Sequence, residues 1–333
     1  MKKNEKMWAI LVHLSMSEWR TKYDTLQFDD EVWDYIIEES HKTGLNTIVL
    51  DVGDGVQWAS HPEIGVEDAW SKERVHKEIA RCREKGIALI PKLNFATIHD
   101  RWLGEYHLMV STQVYYKVCR DLIKEVYELF EEPEYIHIGM DEEHIRNMEK
   151  AEMAICRQGE HYWHDIRFFM DCVKETGAKV WMWADPLIDF TEGYRTHIKP
   201  EEAVLSPWYY SAYKPEHYTE IATASEVTQI YYREDKYASL GIKYVEEDPH
   251  LVNFRRVAVD VAGEGYPYIP CCSSLSNKYN SEDLLDYYKT NVSDEQILGY
   301  ITAPWKSTTK ERLPEFERTF REFKAARDKI YKD

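Results

Sequence analysis

Little in this sequence divides it, anchors it or arms it with a cofactor. No Gly/Pro-rich linker, low-complexity tract or internal repeat interrupts the 333 residues, so one domain spanning 1–333 is the expectation. No membrane anchor is visible. The early apolar run Met7–Leu14 is too short and too β-like for the core of a secretory signal, which points to a cytoplasmic location. Basic residues are scarce beside acidic ones, 42 against 60, and the formal charge of −18 repels phosphate backbones and anionic lipid. Nucleic acid and membrane are therefore excluded as partners. The six cysteines form no CxxC pair and read as reduced, packed thiols, the neighbours Cys271 and Cys272 included. Neither a GxxxxGK[ST] loop nor an HExxH ligand pair occurs, so neither a metal nor an organic cofactor is expected.

What is present is a large apolar supply, 44% hydrophobic with 14% aromatic, and 31% charged residues for a water-facing surface. The apolar residues fall in eight short runs: Trp8–Leu14, Thr47–Asp51, Ala88–Leu93, Tyr135–Met140, Lys179–Trp183, Ala203–Ser206, Tyr268–Cys272 and Ile297–Ala303. Longer amphipathic segments separate them, and that alternation predicts a parallel sheet with crossover helices, an α/β chain folded as a (β/α)8 TIM barrel. Helix signals agree. Asp29 and Asp30 open one helix that Gly44 closes; Lys85-Gly86 closes the next; Thr112–Phe130 and Glu311–Tyr331 carry helical apolar spacing. Lys214–Gly265 is longer than one crossover needs, and Ile242–Val245 is an alternative strand within it.

Loops at the C-terminal ends of barrel strands converge on one face, so the residues that follow each run carry the chemistry. They are Asp51, Asp54 and Trp58 after the second run, and Asn94, His99 and Trp102 after the third. Asp141, Glu142, Glu143 and His144 follow the fourth, Trp183 and Asp185 the fifth, Trp208, Tyr209 and Tyr210 the sixth, and Trp305 the eighth. Carboxylates among aromatic walls suit a neutral carbohydrate, whose C–H face stacks on indole while its hydroxyls take hydrogen bonds. Asp141 and Glu142 are the catalytic candidates, and Asp54, Trp58, His99, Trp102, Trp183, Asp185, Trp208 and Trp305 the substrate-binding candidates. Glu143 and His144 read as structural. Strand alternation sends His137, Gly139 and Asp141 inward and would send Glu142 away, so both acids reach one pocket only if the pleat breaks there, and the strand end supplies that break.

The segment His137-Ile138-Gly139-Met140-Asp141-Glu142 resembles the strand-four motif His-x-Gly-Gly-Asp-Glu of family 20 glycoside hydrolases, the β-N-acetylhexosaminidases. Asn46–Trp58 is similar to that family's strand-two segment, with weaker echoes at Gly86–Pro91, Trp181–Asp185 and Gly299–Trp305. The chain departs from the family pattern at Asp51 for histidine, at Met140 for glycine and at Lys92-Leu93-Asn94 for Glu-Ile-Asp. The family's arginine after strand one and its glutamate after the strand-eight tryptophan have no clear counterpart, Arg20 being a possible substitute for the first. The resemblance implies retention by substrate assistance: Glu142 as general acid and then base, Asp141 orienting a 2-acetamido group that attacks the anomeric carbon. Two other readings stand beside it. One is a conventional two-carboxylate glycosidase on a 2-hydroxy sugar, pairing Glu142 with Asp54 or Asp185; the other is a carbohydrate-binding barrel without catalysis.

Overall fold

In the computed structural model, residues 5–143, 155–210, 249–275 and 277–332 are described, with the isolated positions 147, 153, 214 and 217. Eight parallel strands appear where the apolar runs place them: β1 (Met7–His13), β2 (Thr47–Asp51), β3 (Ala88–Lys92), β4 (Tyr135–His137), β5 (Lys179–Trp183), β6 (Val204–Ser206), β7 (Cys271–Cys272) and β8 (Gly299–Thr302). They pair in the order β6-β5-β4-β3-β2-β1-β8-β7. The bridges Leu205↔Tyr268 and Trp208↔Cys271 bring β6 against β7, closing the sheet into the expected (β/α)8 barrel. The alternative strand at Ile242–Val245 lies outside the described residues.

The helices run α1 (Asp30–Thr43), α2 (Lys72–Glu84), α3 (Gln113–Leu129), α4 (Gly159–Thr176), α5 (Asp185–Asp189), α6 (Thr191–His197), α7 (Pro249–Asp260), α8 (Asn280–Asn291) and α9 (Leu313–Ile330). Their ends follow local chemistry. Gly44 closes α1 at φ 75°, a left-handed position that costs glycine no Cβ clash. Ser71 and Thr112 cap α2 and α3 by accepting the backbone N–H of Arg74 and Tyr115. Among the described residues no helix is long and apolar enough to cross a membrane.

Two separate cores result. Alternate strand residues such as Met7, Ala9, Leu11, Val49, Ile90, Tyr135, Trp181 and Ile301 fill the barrel interior. Their neighbours, among them Ile10, Val12, Ile48, Leu50, Ile136 and Met182, pack outward against the helices. Burial on both sides explains why these strands read as continuous apolar runs rather than as alternating ones. The interior changes character at the upper rim. His13, Asp51, Lys92 and His137 stand in one register row across β1 to β4, on the inward parity of their strands. This polar row is the floor on which the site is built.

Candidate active site

Strand β4 is shorter than its apolar run. It stops at His137 because Gly139 and Met140 both adopt φ 74°, and Glu142 follows at φ 57°. These left-handed residues break the pleat, and the break delivers Asp141 and Glu142 to the same cavity instead of to opposite faces. Gly139 is glycine for a steric reason as well: a Cβ there would stand 2.0 Å from Asn94 Oδ1. The turn is locked further by the Gly139 N–H, which donates to His137 Nδ1 at 3.0 Å. His137 is fully buried. Burial and the Lys92 charge push its pKa well below the ordinary histidine value, so it sits as a neutral acceptor.

The cavity has a volume of about 240 Å³ and two unlike halves. Its β1-to-β4 side carries the polar groups of His13, Glu18, Lys92, Asn94, His99, Asp141 and Glu142, with Trp19 among them; its β5-to-β8 side is Trp183, Trp208, Tyr210, Leu275 and Trp305. The aromatic rings support one another. Trp208 stacks on Tyr210 at 5.1 Å, and Trp305 lies 5.7 Å from Trp183 and 5.9 Å from Tyr210. Among the described residues the indole N–H groups of Trp183 and Trp305 have no hydrogen-bond partner, which places two donors beside the cavity.

His99 joins the acids. Its Nε2 lies 3.2 Å from Glu142 Oε2 and 3.4 Å from Asp141 Oδ2, while its Nδ1 is 3.2 Å from Glu18 Oε2. Trp19 packs edge-on against the ring at 4.4 Å. Burial alone would depress the His99 pKa, but the Asp141 charge and the bonds to Glu142 and Glu18 outweigh it and hold the imidazole well above its ordinary value. Asp141 is pushed up by burial against the opposing pull of the His99 and Lys92 charges and the Asn94 amide, which donates at 2.8 Å. Burial also opposes ionisation of Asp51, yet the Lys92 ammonium bonded to it, together with His13, holds it below the usual carboxylate range.

A stability prediction follows from the direction at His99. A histidine whose pKa is raised on folding stabilises the fold fully below its unfolded pKa of about 6.5, and that contribution is lost as pH rises through the higher folded value. His99→Gln is therefore expected to flatten the alkaline side of the stability–pH curve. The check is the denaturation midpoint of both proteins from pH 5 to 10; parallel curves would show that His99 is not charged in the fold.

His99, Asp141 and Glu142 are also the described residues whose ligand atoms converge, all within 4.8 Å, and so the set that a divalent ion could use.

The sequence matches the family profile described as Glycosyl hydrolase family 20, catalytic domain, over residues 84–317, more than half of the chain. The chain belongs to glycosyl hydrolase family 20. Solved family 20 folds are similar to it at low identity. The Vibrio harveyi exo β-N-acetylglucosaminidase, solved with N-acetylglucosamine, has a TM-score of 0.59 at 13% identity, with 98% of this chain and 57% of that one covered. For the Bacteroides fragilis β-N-acetylhexosaminidase the values are 0.57, 13%, 96% and 65%. A Streptomyces plicatus β-hexosaminidase variant with its product N-acetylglucosamine gives 0.59, 13%, 98% and 68%. The chain thus spans 57–65% of the first two relatives, and the likeness is one of fold. No curated protein matches it in sequence.

Within this family 20 barrel, Asp141, Glu142, His99, Trp183, Trp208 and Trp305 line the cavity together. Four of the expected substrate contacts are not among the residues that line this cavity, and each has another partner. Trp58 is buried among outer-core residues and donates to the Gly53 carbonyl at 3.1 Å. Trp102 is likewise buried and donates to the Asn94 carbonyl at 2.8 Å, anchoring the β3 loop from beneath. Asp54 accepts from Ser15 Oγ at 2.6 Å and faces Lys22. Asp185 is buried, accepting the Glu142 N–H at 3.0 Å and the Trp208 indole N–H at 2.8 Å, so it supports two lining residues without lining the cavity. Burial first, and then the Asp141 charge, raise its pKa well above the ordinary carboxyl value. Glu143 is structural, as its position suggests: it is clamped by Arg157. His144 lies outside the described residues.

Asn94 and Tyr210, noted after their strands, line it too, and His13, Glu18, Trp19, Lys92 and Leu275 complete the cavity without having been singled out as candidates. Two of them were legible: His13 and Lys92 fall on the inward parity that Leu11 and Ile90 establish on the same strands. Glu18 and Trp19 sit in an irregular loop after β1, where no periodicity applies.

Proposed function

We propose that this chain is an exo-acting β-N-acetylhexosaminidase-like glycoside hydrolase that retains configuration by substrate assistance, its 1–333 sequence forming a single catalytic barrel. The observation that carries the reading is the meeting of Asp141 and Glu142, linked through His99, in a cavity walled on its far side by four aromatic rings. Glu142 donates its proton to the glycosidic oxygen as the bond to the anomeric carbon breaks. The substrate's own acetamido oxygen closes on that carbon, and Asp141 stabilises the positive charge that develops on the acetamido nitrogen. Glu142, now ionised, takes a proton from the water that opens the ring. Below the cavity the barrel interior is filled by Trp181, Tyr135 and Ile90, so the pocket is blind and suits a chain-terminal sugar. Two of the similar structures hold N-acetylglucosamine, which supports the same sugar class here.

The buried setting of Asp185 and Asp54 speaks against either as a second carboxylate facing the substrate. The decisive assay compares aryl N-acetylglucosaminide, N-acetylgalactosaminide, glucoside and galactoside. The expected result is much faster cleavage of the N-acetyl sugars, inhibition by a thiazoline that mimics the cyclised intermediate, and a loss in Asp141→Asn confined chiefly to the N-acetyl sugars. Faster cleavage of a 2-hydroxy sugar with no thiazoline inhibition would overturn substrate assistance, and absence of turnover on all of them would leave a binding barrel.

A further inference from the structure

The geometry points to Asn94 as a positioning residue that holds Asp141 as a hydrogen-bond acceptor independently of pH. This rests on the role proposed for Asp141. The Asn94 side-chain oxygen accepts two backbone N–H groups, from Ala96 at 3.1 Å and Met140 at 3.3 Å. Backbone N–H groups can only donate, so that end of the amide must be oxygen, and the NH2 end must face Asp141 Oδ1 at 2.8 Å. The group cannot turn away. Its backbone carbonyl takes the Trp102 indole N–H, and Gly139, with no Cβ, lies flush against its side chain.

The residue type then matters. An amide in this place donates at any pH. A carboxyl in the same place donates only while protonated, and two carboxyls at hydrogen-bond distance in a buried site cannot both ionise at ordinary pH. Asn94 therefore lets Asp141 serve as an anion without a proton shared between two acids, and the second Asp141 oxygen stays 3.4 Å from His99 Nε2. The chain departs from the family pattern at this position, where Asp is usual, so its pH behaviour should differ accordingly.

The test uses the full chain and the near-isosteric Asn94→Asp, with Asn94→Ala as a variant that cannot share a proton. The 13C resonance of the Asp141 carboxyl, assigned by its absence in Asp141→Asn, is followed against pH. Wild type should give one titration step. Asn94→Asp should give two, the upper one displaced above the usual carboxylate range, and Asn94→Ala one step displaced upward through loss of the donor. On an aryl N-acetylglucosaminide, Asn94→Asp should approach wild-type kcat at acid pH and fall about tenfold or more below it as the second carboxyl ionises. Asn94→Ala should lose a similar factor with no new alkaline limb. An Asp141 titration unchanged in both variants overturns the role of Asn94 even if N-acetyl sugars are preferred. A split titration without that preference keeps the Asn94 role and instead overturns substrate assistance.

Discussion

Glu142→Gln is expected to lose about 10²–10⁴-fold in turnover of an unactivated glycoside while still binding the sugar. Glutamine keeps the shape of the side chain and can still meet His99 and the glycosidic oxygen, but it has no acidic proton to transfer. The loss should shrink on substrates with a good leaving group, such as a dinitrophenyl glycoside, because those need little help from an acid. Deglycosylation still uses Glu142 as base, so some deficit should persist there. Kinetics on paired poor and good leaving groups, with equilibrium binding measured by calorimetry, make the check. Wild-type turnover on the poor leaving group would remove Glu142 from the acid role.

The second large effect is on stability. Arg157 is almost wholly buried and donates to Glu143 Oε1 at 2.8 Å and Oε2 at 2.5 Å, to Asp165 Oδ2 at 3.0 Å and to the Phe95 carbonyl at 2.8 Å. Glu143 in turn accepts the backbone N–H of Thr97 at 3.1 Å. The cluster ties the loop after β4 to the loop after β3 that carries Asn94 and His99. Arg157→Met fills similar volume but leaves two carboxylates buried without their cation, a change worth about 3–5 kcal/mol for a broken buried pair. Arg157→Lys should restore part of this, since an ammonium satisfies charge but not the forked geometry. Urea denaturation midpoints decide it, and a midpoint for Arg157→Met within error of wild type would mean that the cluster contributes nothing net. Activity should fall together with stability, because the loop that places His99 loses its tie.

Taken alone, the sequence determined the architecture. Eight apolar runs between amphipathic segments specify a parallel barrel because strands buried on both faces must be apolar throughout, and that pattern is local. The Asp141-Glu142 pair was equally legible, since its place at a strand end fixes which barrel face it occupies. The tryptophans were not separable on this basis. Trp183 and Trp305 line the cavity while Trp58 and Trp102 hold backbone carbonyls behind it, although all four stand at or beyond the ends of barrel strands. An indole is both a stacking surface and a single donor, and only the position of the nearest acceptor decides which use it has. Only the tertiary structure brought Glu18, 81 residues away in the chain, against His99, turned Asn94 so that its amide faces Asp141, and folded the β4 exit through left-handed residues so that two adjacent acids share one cavity. Those contacts depend on where separate loops meet above the barrel, a distance that no spacing along the chain encodes.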